Sequence, residues 1–157
     1  FDMSEINEYY HKFVDRTIRD AVEFEDNPSS ITKKIKKDDF DFIVVNLVNC
    51  DMVGHTGDKK AIKKAVESVD EATGKIVKAG KENDYEVLIL ADHGNAEDQT
   101  DNWRTSHTTN PVPCILVTDK EVELKQGKGL KDVAPTILDL LDIEKPKRMT
   151  GESIIKP

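Results

Sequence analysis

The side chains best suited to chemistry in this sequence are Asp51, His55, Asp92, His93 and His107. Three of the chain's four histidines are in this set. Carboxylate oxygens and neutral imidazole nitrogens together bind manganese, zinc, iron or cobalt. A mixed Asp/His set able to ligate two such ions recurs in phosphoryl-transfer enzymes. Each feature has a plainer reading when taken alone. The Asp51-x-x-x-His55 spacing arises easily by chance. Asp92 followed by His93-Gly94 also fits a turn in which Asp caps the backbone and Gly takes positive φ. His107 alone reads as a hydrogen-bonded loop residue, and His11 as structural. The placement of all five at or near the ends of apolar segments favours the metal reading, because ligands of open α/β sheets bind outside the carboxyl ends of the strands.

The elements that must position them follow from the apolar pattern. Ser4–Glu23 has apolar residues at helical spacing, from Ile6 to Val22, with Ser4 as N-cap. Asn27-Pro28-Ser29-Ser30 reads as a loop, and Ile31–Lys37 as a short basic helix whose lysines form a solvated face. Phe40–Asn49 reads as a strand, apolar on both faces as in the centre of a parallel sheet. Asp51–Asp58 reads as a turn, since Gly54 argues against a regular helix there. On such a turn Asp51 and His55 can bend toward one point. Lys59–Ala79 carries the stripe Ile62, Ala65, Val66, Val69, Ala72, Ile76 and Val77, with Gly80 placed to end the helix. Tyr85–Ala91 and Pro113–Thr118 read as buried strands around a polar loop, Asp92–Asn110. Adjacent in a strand, Asp92 and His93 would point apart. In a turn with Gly94 they serve two ions, or one ion from two sides. Leu130–Leu141 reads as a final helix with Leu130, Val133, Ala134, Ile137, Leu138 and Leu141 inward. Pro135 falls in its first turn. The alternation of strands and helices is the α/β pattern, and three strands are few for such a sheet, so missing strands or a partner are expected.

Composition narrows the function classes. The 157 residues carry 23 Lys+Arg against 31 Asp+Glu, a net charge of −8. That charge disfavours non-specific binding to nucleic-acid phosphates or anionic membranes. No apolar run approaches the ~20 residues of a membrane span. Cys50 and Cys114 form no disulfide framework or zinc-ribbon spacing and read as small core residues. Acidic Asp2, Glu5 and Glu8 stand where a signal peptide would need basic residues, so a cytoplasmic location is expected. The sequence begins with Phe1 and its first methionine is Met3, which leads us to expect a piece of a longer chain.

Three longer motifs carry a resemblance. Asp51-Met52-Val53-Gly54-His55-Thr56-Gly57, Ala91-Asp92-His93-Gly94-Asn95-Ala96-Glu97 and Thr105–Pro113 resemble cofactor-independent phosphoglycerate mutase, of the alkaline phosphatase superfamily, in order and spacing. Asp132–Leu141 and Met149–Ser153 resemble the end of that family's chain. The resemblance is strong over about 41–157. It implies a three-layer α/β sandwich with a mostly parallel central sheet, here incomplete, so that 1–157 is the C-terminal segment of a split metal-binding phosphatase-like domain. It implies interconversion of 3-phosphoglycerate and 2-phosphoglycerate in glycolysis, through a phosphoserine intermediate and two manganese ions. By position, Asp51, His55 and His107 resemble the ligands of one ion, and Asp92 and His93 ligands of the other. The family's nucleophilic serine, a further metal-binding aspartate and most of its substrate-gripping arginines have no counterpart here. Ser106 lies inside the ligand motif, and Arg16, Arg19, Arg104 and Arg148 stand in other contexts. The sequence therefore implies an isomerase as the parent protein, a small phosphoglycerate as its substrate, no nucleic-acid or membrane partner, and no mutase activity from this chain alone. The alternatives are another metal-dependent phosphatase or phosphodiesterase of the superfamily, a non-enzymatic metal-binding module, or an acidic phosphoacceptor domain.

Overall fold

A computed structural model describes residues 28–37, 40–103 and 105–157. The helix read over Ser4–Glu23, His11, Arg16, Arg19 and Arg104 lie outside the described residues. Helix α1 spans Pro28–Ile35. The expected loop thus gives way to a helix at Pro28, where the missing N–H costs nothing in a first turn. Ile31 and Ile35, one turn apart, are buried with Ala79 in a small core cluster, and Ile43, Val45, Ile76 and Tyr85 pack around it.

Residues 42–47 follow without a hydrogen-bonded ladder, where a central strand was expected. A strand is defined by its neighbours, and none pairs with this segment among the described residues. Its burial alternates as a half-covered strand's does. Ile43 and Val45 face the core cluster, whereas Val44 is 42% exposed. The segment runs into α2, Asn49–Gly54, which corrects the turn expected over Asp51–Asp58. Gly54 does not break this helix, because its freedom from a side chain serves packing. A Cβ there would stand 2.0 Å from the Asn95 side-chain oxygen.

Asp58 caps α3, Lys59–Lys81, accepting from the amides of Lys60 and Ala61. The helix buries Ile62, Ala65, Ala72, Ala79 and Gly80, but Val66 lies outside the expected stripe at 45% exposure. Gly80 falls inside the last turn rather than ending it. A Cβ there would come within 2.7 Å of Val87 Cγ2, so the glycine brings the helix close to the sheet. The chain reverses at Asp84, whose φ is 59°.

Strands β1, Val87–Leu90, and β2, Cys114–Val117, pair antiparallel with Leu90 opposite Cys114. The loop between them therefore leaves and returns at one end of the pair. Cys50 is half-buried and Cys114 exposed, so neither is the core residue expected. Cys114 and Ile115 lie on a part of β2 that nothing described covers. A 3-10 turn, Leu130–Asp132, leads into α4, Val133–Leu140. Here Leu138 is buried as expected, but Leu130 and Ala134 are exposed, and Pro135 and Thr136 are buried as well. The reason is the C-terminal segment. Thr136 Oγ1 donates to the Asp132 carbonyl at 2.6 Å and accepts from the Ile154 amide at 3.0 Å. The Asp132 carboxylate accepts from the amides of Glu152 and Gly129 at 2.8 and 2.9 Å. These two amides, that of Glu152 first, hold the Asp132 carboxyl below the usual aspartate range.

Candidate metal centre

Asp51 and His55 face each other because α2 is helical: residues four apart share a face. Asp51 Oδ1 and His55 Nε2 are 3.2 Å apart. The long loop supplies the rest. Gly94 and Thr108 form an antiparallel bridge, with the Thr108 amide donating to the Gly94 carbonyl at 2.8 Å. This places His93 and His107 diagonally across the bridge, with rings stacked at 3.7 Å between centroids. His107 Nε2 then lies 3.2 Å from Asp51 Oδ1 and 3.2 Å from His55 Nε2. His93 Nε2 stands 3.9 Å from the same Asp51 oxygen. Asp51, His93 and His107 offer donor atoms that all lie within 4.8 Å of one another.

Two features fit this set to a cation. Donors on an ion with bonds of about 2.0–2.2 Å stand roughly 3.0–3.5 Å apart, which the 3.2 Å separations match. The facing Nε2 atoms of His55 and His107 also need something between their lone pairs, either a proton or a metal ion. His55 Nδ1 lies 3.1 Å from the Thr105 carbonyl. A carbonyl accepts only, so this contact puts the proton on Nδ1 and leaves the Nε2 lone pair available to a cation. The three histidines and Asp51 are partly open to solvent, between 27% and 50% by side chain.

Asp92 is placed differently. Its side chain is 80% exposed and, among the described residues, forms an ion-pair contact only with His93, at 3.7 Å. The structure therefore gathers Asp51, His55, His93 and His107, and leaves Asp92 at the rim. Other participants were not singled out from sequence. Asn95 Nδ2 donates to Asp51 Oδ1 at 2.9 Å. Glu97 Oε1 accepts from the Thr108 hydroxyl in a short bond, and from Asn110 Nδ2 at 3.0 Å. The Thr108 hydroxyl in particular, aided by Asn110, holds the Glu97 carboxyl below the usual glutamate range. The available signal was proximity in sequence: both residues follow His93 in the same motif. The Ser106 side chain is exposed, in a turn closed by its amide donating to the Trp103 carbonyl.

Comparison with known proteins gives the family. Residues 11–145 match the family described as Metalloenzyme superfamily. The chain is 51% identical over 125 residues to the 2,3-bisphosphoglycerate-independent phosphoglycerate mutase of Acetivibrio thermocellus, covering 77% of this chain and 24% of that protein. It is 52% identical over 126 residues to the Vibrio atlanticus protein of the same name, covering 78% and 25%. For the Clostridium botulinum (strain Langeland) protein of that name the figures are 46% over 130 residues, 80% and 26%. Among solved structures, a Leishmania mexicana phosphoglycerate mutase at low cobalt concentration matches with a TM-score of 0.73 and 31% identity, over 82% of this chain and 27% of that one. The chain spans about a quarter of the length of these relatives. With its family matched over most of its length and its fold shared with a phosphoglycerate mutase, the chain belongs to the Metalloenzyme superfamily and is a partial α/β unit of the alkaline phosphatase-like fold.

Proposed function

We propose that this chain supplies the metal-binding part of a cofactor-independent phosphoglycerate mutase, as the C-terminal segment of a split phosphatase-like domain. The enzyme would be an isomerase of glycolysis, acting in the cytoplasm. It would interconvert 3-phosphoglycerate and 2-phosphoglycerate through a phosphoserine intermediate with two manganese ions. The observation that carries the reading is the triangle of Asp51 Oδ1, His55 Nε2 and His107 Nε2, each 3.2 Å from the next. Its support in sequence is the likeness to relatives named as phosphoglycerate mutases.

In this reading Asp51, His55 and His107 hold one ion, with His93 beside them, and Asp92 offers its exposed carboxylate to a second. Bound there, divalent ions neutralise charge on a transferring phosphoryl group. The donor chemistry accommodates manganese and equally zinc, iron or cobalt. The partner is a small phosphorylated acid, and neither nucleic acid nor membrane is proposed. No helix among the described residues is long and apolar enough to cross a membrane. The nucleophilic serine of the family mechanism has no counterpart in this sequence, so these 157 residues alone are inactive in this reading.

The test is metal analysis of the purified chain, with a coupled assay for phosphoglycerate interconversion by the chain and by the longer protein that contains it. The expected result is one tightly held ion per chain, no turnover by the chain, and turnover by the longer protein. Two fully occupied ions per chain would contradict the assignment of Asp92 to an incomplete second site. Hydrolysis of a generic phosphate ester by the longer protein, with no mutase activity, would replace the substrate and keep the metal centre.

A further inference from the structure

We infer that Asn95 is the positioning residue of the Asp51 carboxylate, seated by the absence of a side chain at Gly54. The inference rests on reading Asp51 as a metal ligand. Asn95 is 5% exposed, and its Nδ2 donates to Asp51 Oδ1 at 2.9 Å. This is the same oxygen that faces the Nε2 atoms of His55, His107 and His93. The amide must present its nitrogen to that oxygen, because its own oxygen would be repelled by the carboxylate. With one lone-pair direction of Oδ1 taken by the amide, rotation of the carboxylate is restrained and the remaining direction points among the imidazoles.

The other end of the amide shows that the arrangement serves the site. Asn95 Oδ1 is buried and has no hydrogen-bond partner among the described residues. Buried acceptors are seldom left so, because the lost hydration goes uncompensated. That oxygen rests against Gly54, where a Cβ would stand 2.0 Å from Oδ1 and 2.7 Å from Cγ. The last residue of α2 is therefore bare so that an amide from the loop after β1 can reach the first turn of the same helix. Asn95 also stands two residues after His93. One loop thus sets both the ring of His93 and the aim of Asp51.

The experiment is cobalt(II) titration of the full 157-residue chain, followed by calorimetry and by the visible bands of the bound ion. The variants are Asn95→Ala, Asn95→Leu, Gly54→Ala, the double variant Gly54→Ala/Asn95→Ala, and Asp51→Asn. Asn95→Leu keeps the volume while removing both polar atoms, which guards against a collapse of the site in Asn95→Ala. Both Asn95 variants are expected to weaken cobalt binding by about 10–100-fold, as loss of a ligand-orienting partner does. They should also shift the cobalt bands while the metal-free chain keeps its circular dichroism. Gly54→Ala should do the same by displacing the amide, and the double variant should bind no worse than Asn95→Ala. A merely structural role for Asn95 would lower the metal-free melting temperature and leave the cobalt bands in place. Cobalt affinity within threefold of the parent and unshifted bands in both Asn95 variants, while Asp51→Asn abolishes binding, would overturn the positioning role alone. Retained binding in Asp51→Asn would overturn the metal reading and this inference together.

Discussion

Replacing Asp51 by Asn isolates the charge at the middle of the cluster. The substitution keeps an oxygen that can accept from Asn95 Nδ2, now at 2.9 Å from Asp51 Oδ1. It therefore avoids stranding a buried donor, which Asp51→Ala would do at a cost of about 1–3 kcal/mol. What it removes is the negative charge of the carboxylate whose Oδ1 stands 3.2 Å from His55 Nε2, 3.2 Å from His107 Nε2 and 3.9 Å from His93 Nε2. Loss of an outer partner of a ligand typically weakens metal binding by about 10–100-fold, so loss of the direct anionic donor should cost at least ~100-fold. At about 1.4 kcal/mol per tenfold, that is roughly 2.8 kcal/mol. Asp92→Asn is the control, since that side chain is 80% exposed and lies 3.7 Å from His93 at the rim. Its effect on the first ion should stay within about threefold, as expected of a charge well screened by solvent. Calorimetric titration with manganese(II) and cobalt(II) reads both affinities. Thermal melting gives an independent check. An ion at 100 times its dissociation constant stabilises the chain by about 2.7 kcal/mol, and this increment should vanish in Asp51→Asn. Wild-type affinity in Asp51→Asn, or an equal loss in Asp92→Asn, would refute the reasoning.

Further expectations concern the scaffold. Gly151→Ala places a Cβ 1.9 Å from the Lys131 carbonyl oxygen, and overpacking against backbone should destabilise the chain by about 1–3 kcal/mol or more in urea unfolding. Ile31→Ala empties part of the cluster shared with Ile35 and Ala79, where Ile31 is fully buried, and should cost about 2–5 kcal/mol in the same measurement. Glu97 has a depressed carboxyl, chiefly through the Thr108 hydroxyl. Its contribution is therefore present above the ordinary glutamate value and lost as pH falls through the lower folded value. The melting-temperature gap between the parent chain and Glu97→Gln should accordingly be constant near neutrality and close on acidification through that range. A gap that widens in acid would reverse the assignment.

Much of the candidate cluster was legible because metal chemistry needs particular residue types. Few side chains can serve, and Asp51, His55, His93 and His107 are among them. Their convergence was legible only in part. The apolar pattern placed β1 and β2 to within a residue or two, but not the bridge between Gly94 and Thr108. That bridge decides that His93 joins the Asp51 group while Asp92 turns outward. The short helix α2 was missed because Gly54 carries a helix penalty of about 1 kcal/mol. The penalty is real, but tertiary packing against Asn95 overrides it. The segment over 40–49 has a strand's composition, yet a ladder requires a neighbour that the described residues do not supply. Likewise, helical periodicity misassigned Leu130 and Ala134, because the covering element of α4 is the irregular segment around Ile154.

The same contrast explains how a chain spanning about a quarter of its relatives' length can carry an ordered cluster of donor-type side chains. Among the described residues, the contacts that aim the four gathered side chains come from within 49–110. Asp51 and His55 share one helical turn. His55 is fixed by the Thr105 carbonyl, and His93 and His107 are brought together by the Gly94–Thr108 bridge. Glu97 ties Thr108 and Asn110 to the same loop. Asn95 then joins the loop to the helix through Asp51. The cluster is thus built from two short segments cross-linked to each other, on a scaffold held by α3 and the β1–β2 pair. Asp92 shows the opposite case. Its carboxylate is 80% exposed and, among the described residues, has only His93 within ion-pair reach, so the described residues supply a single direction of approach at that position. A site closed by residues of its own segment can preorganise an ion, whereas a site with one donor depends on whatever else is brought to it.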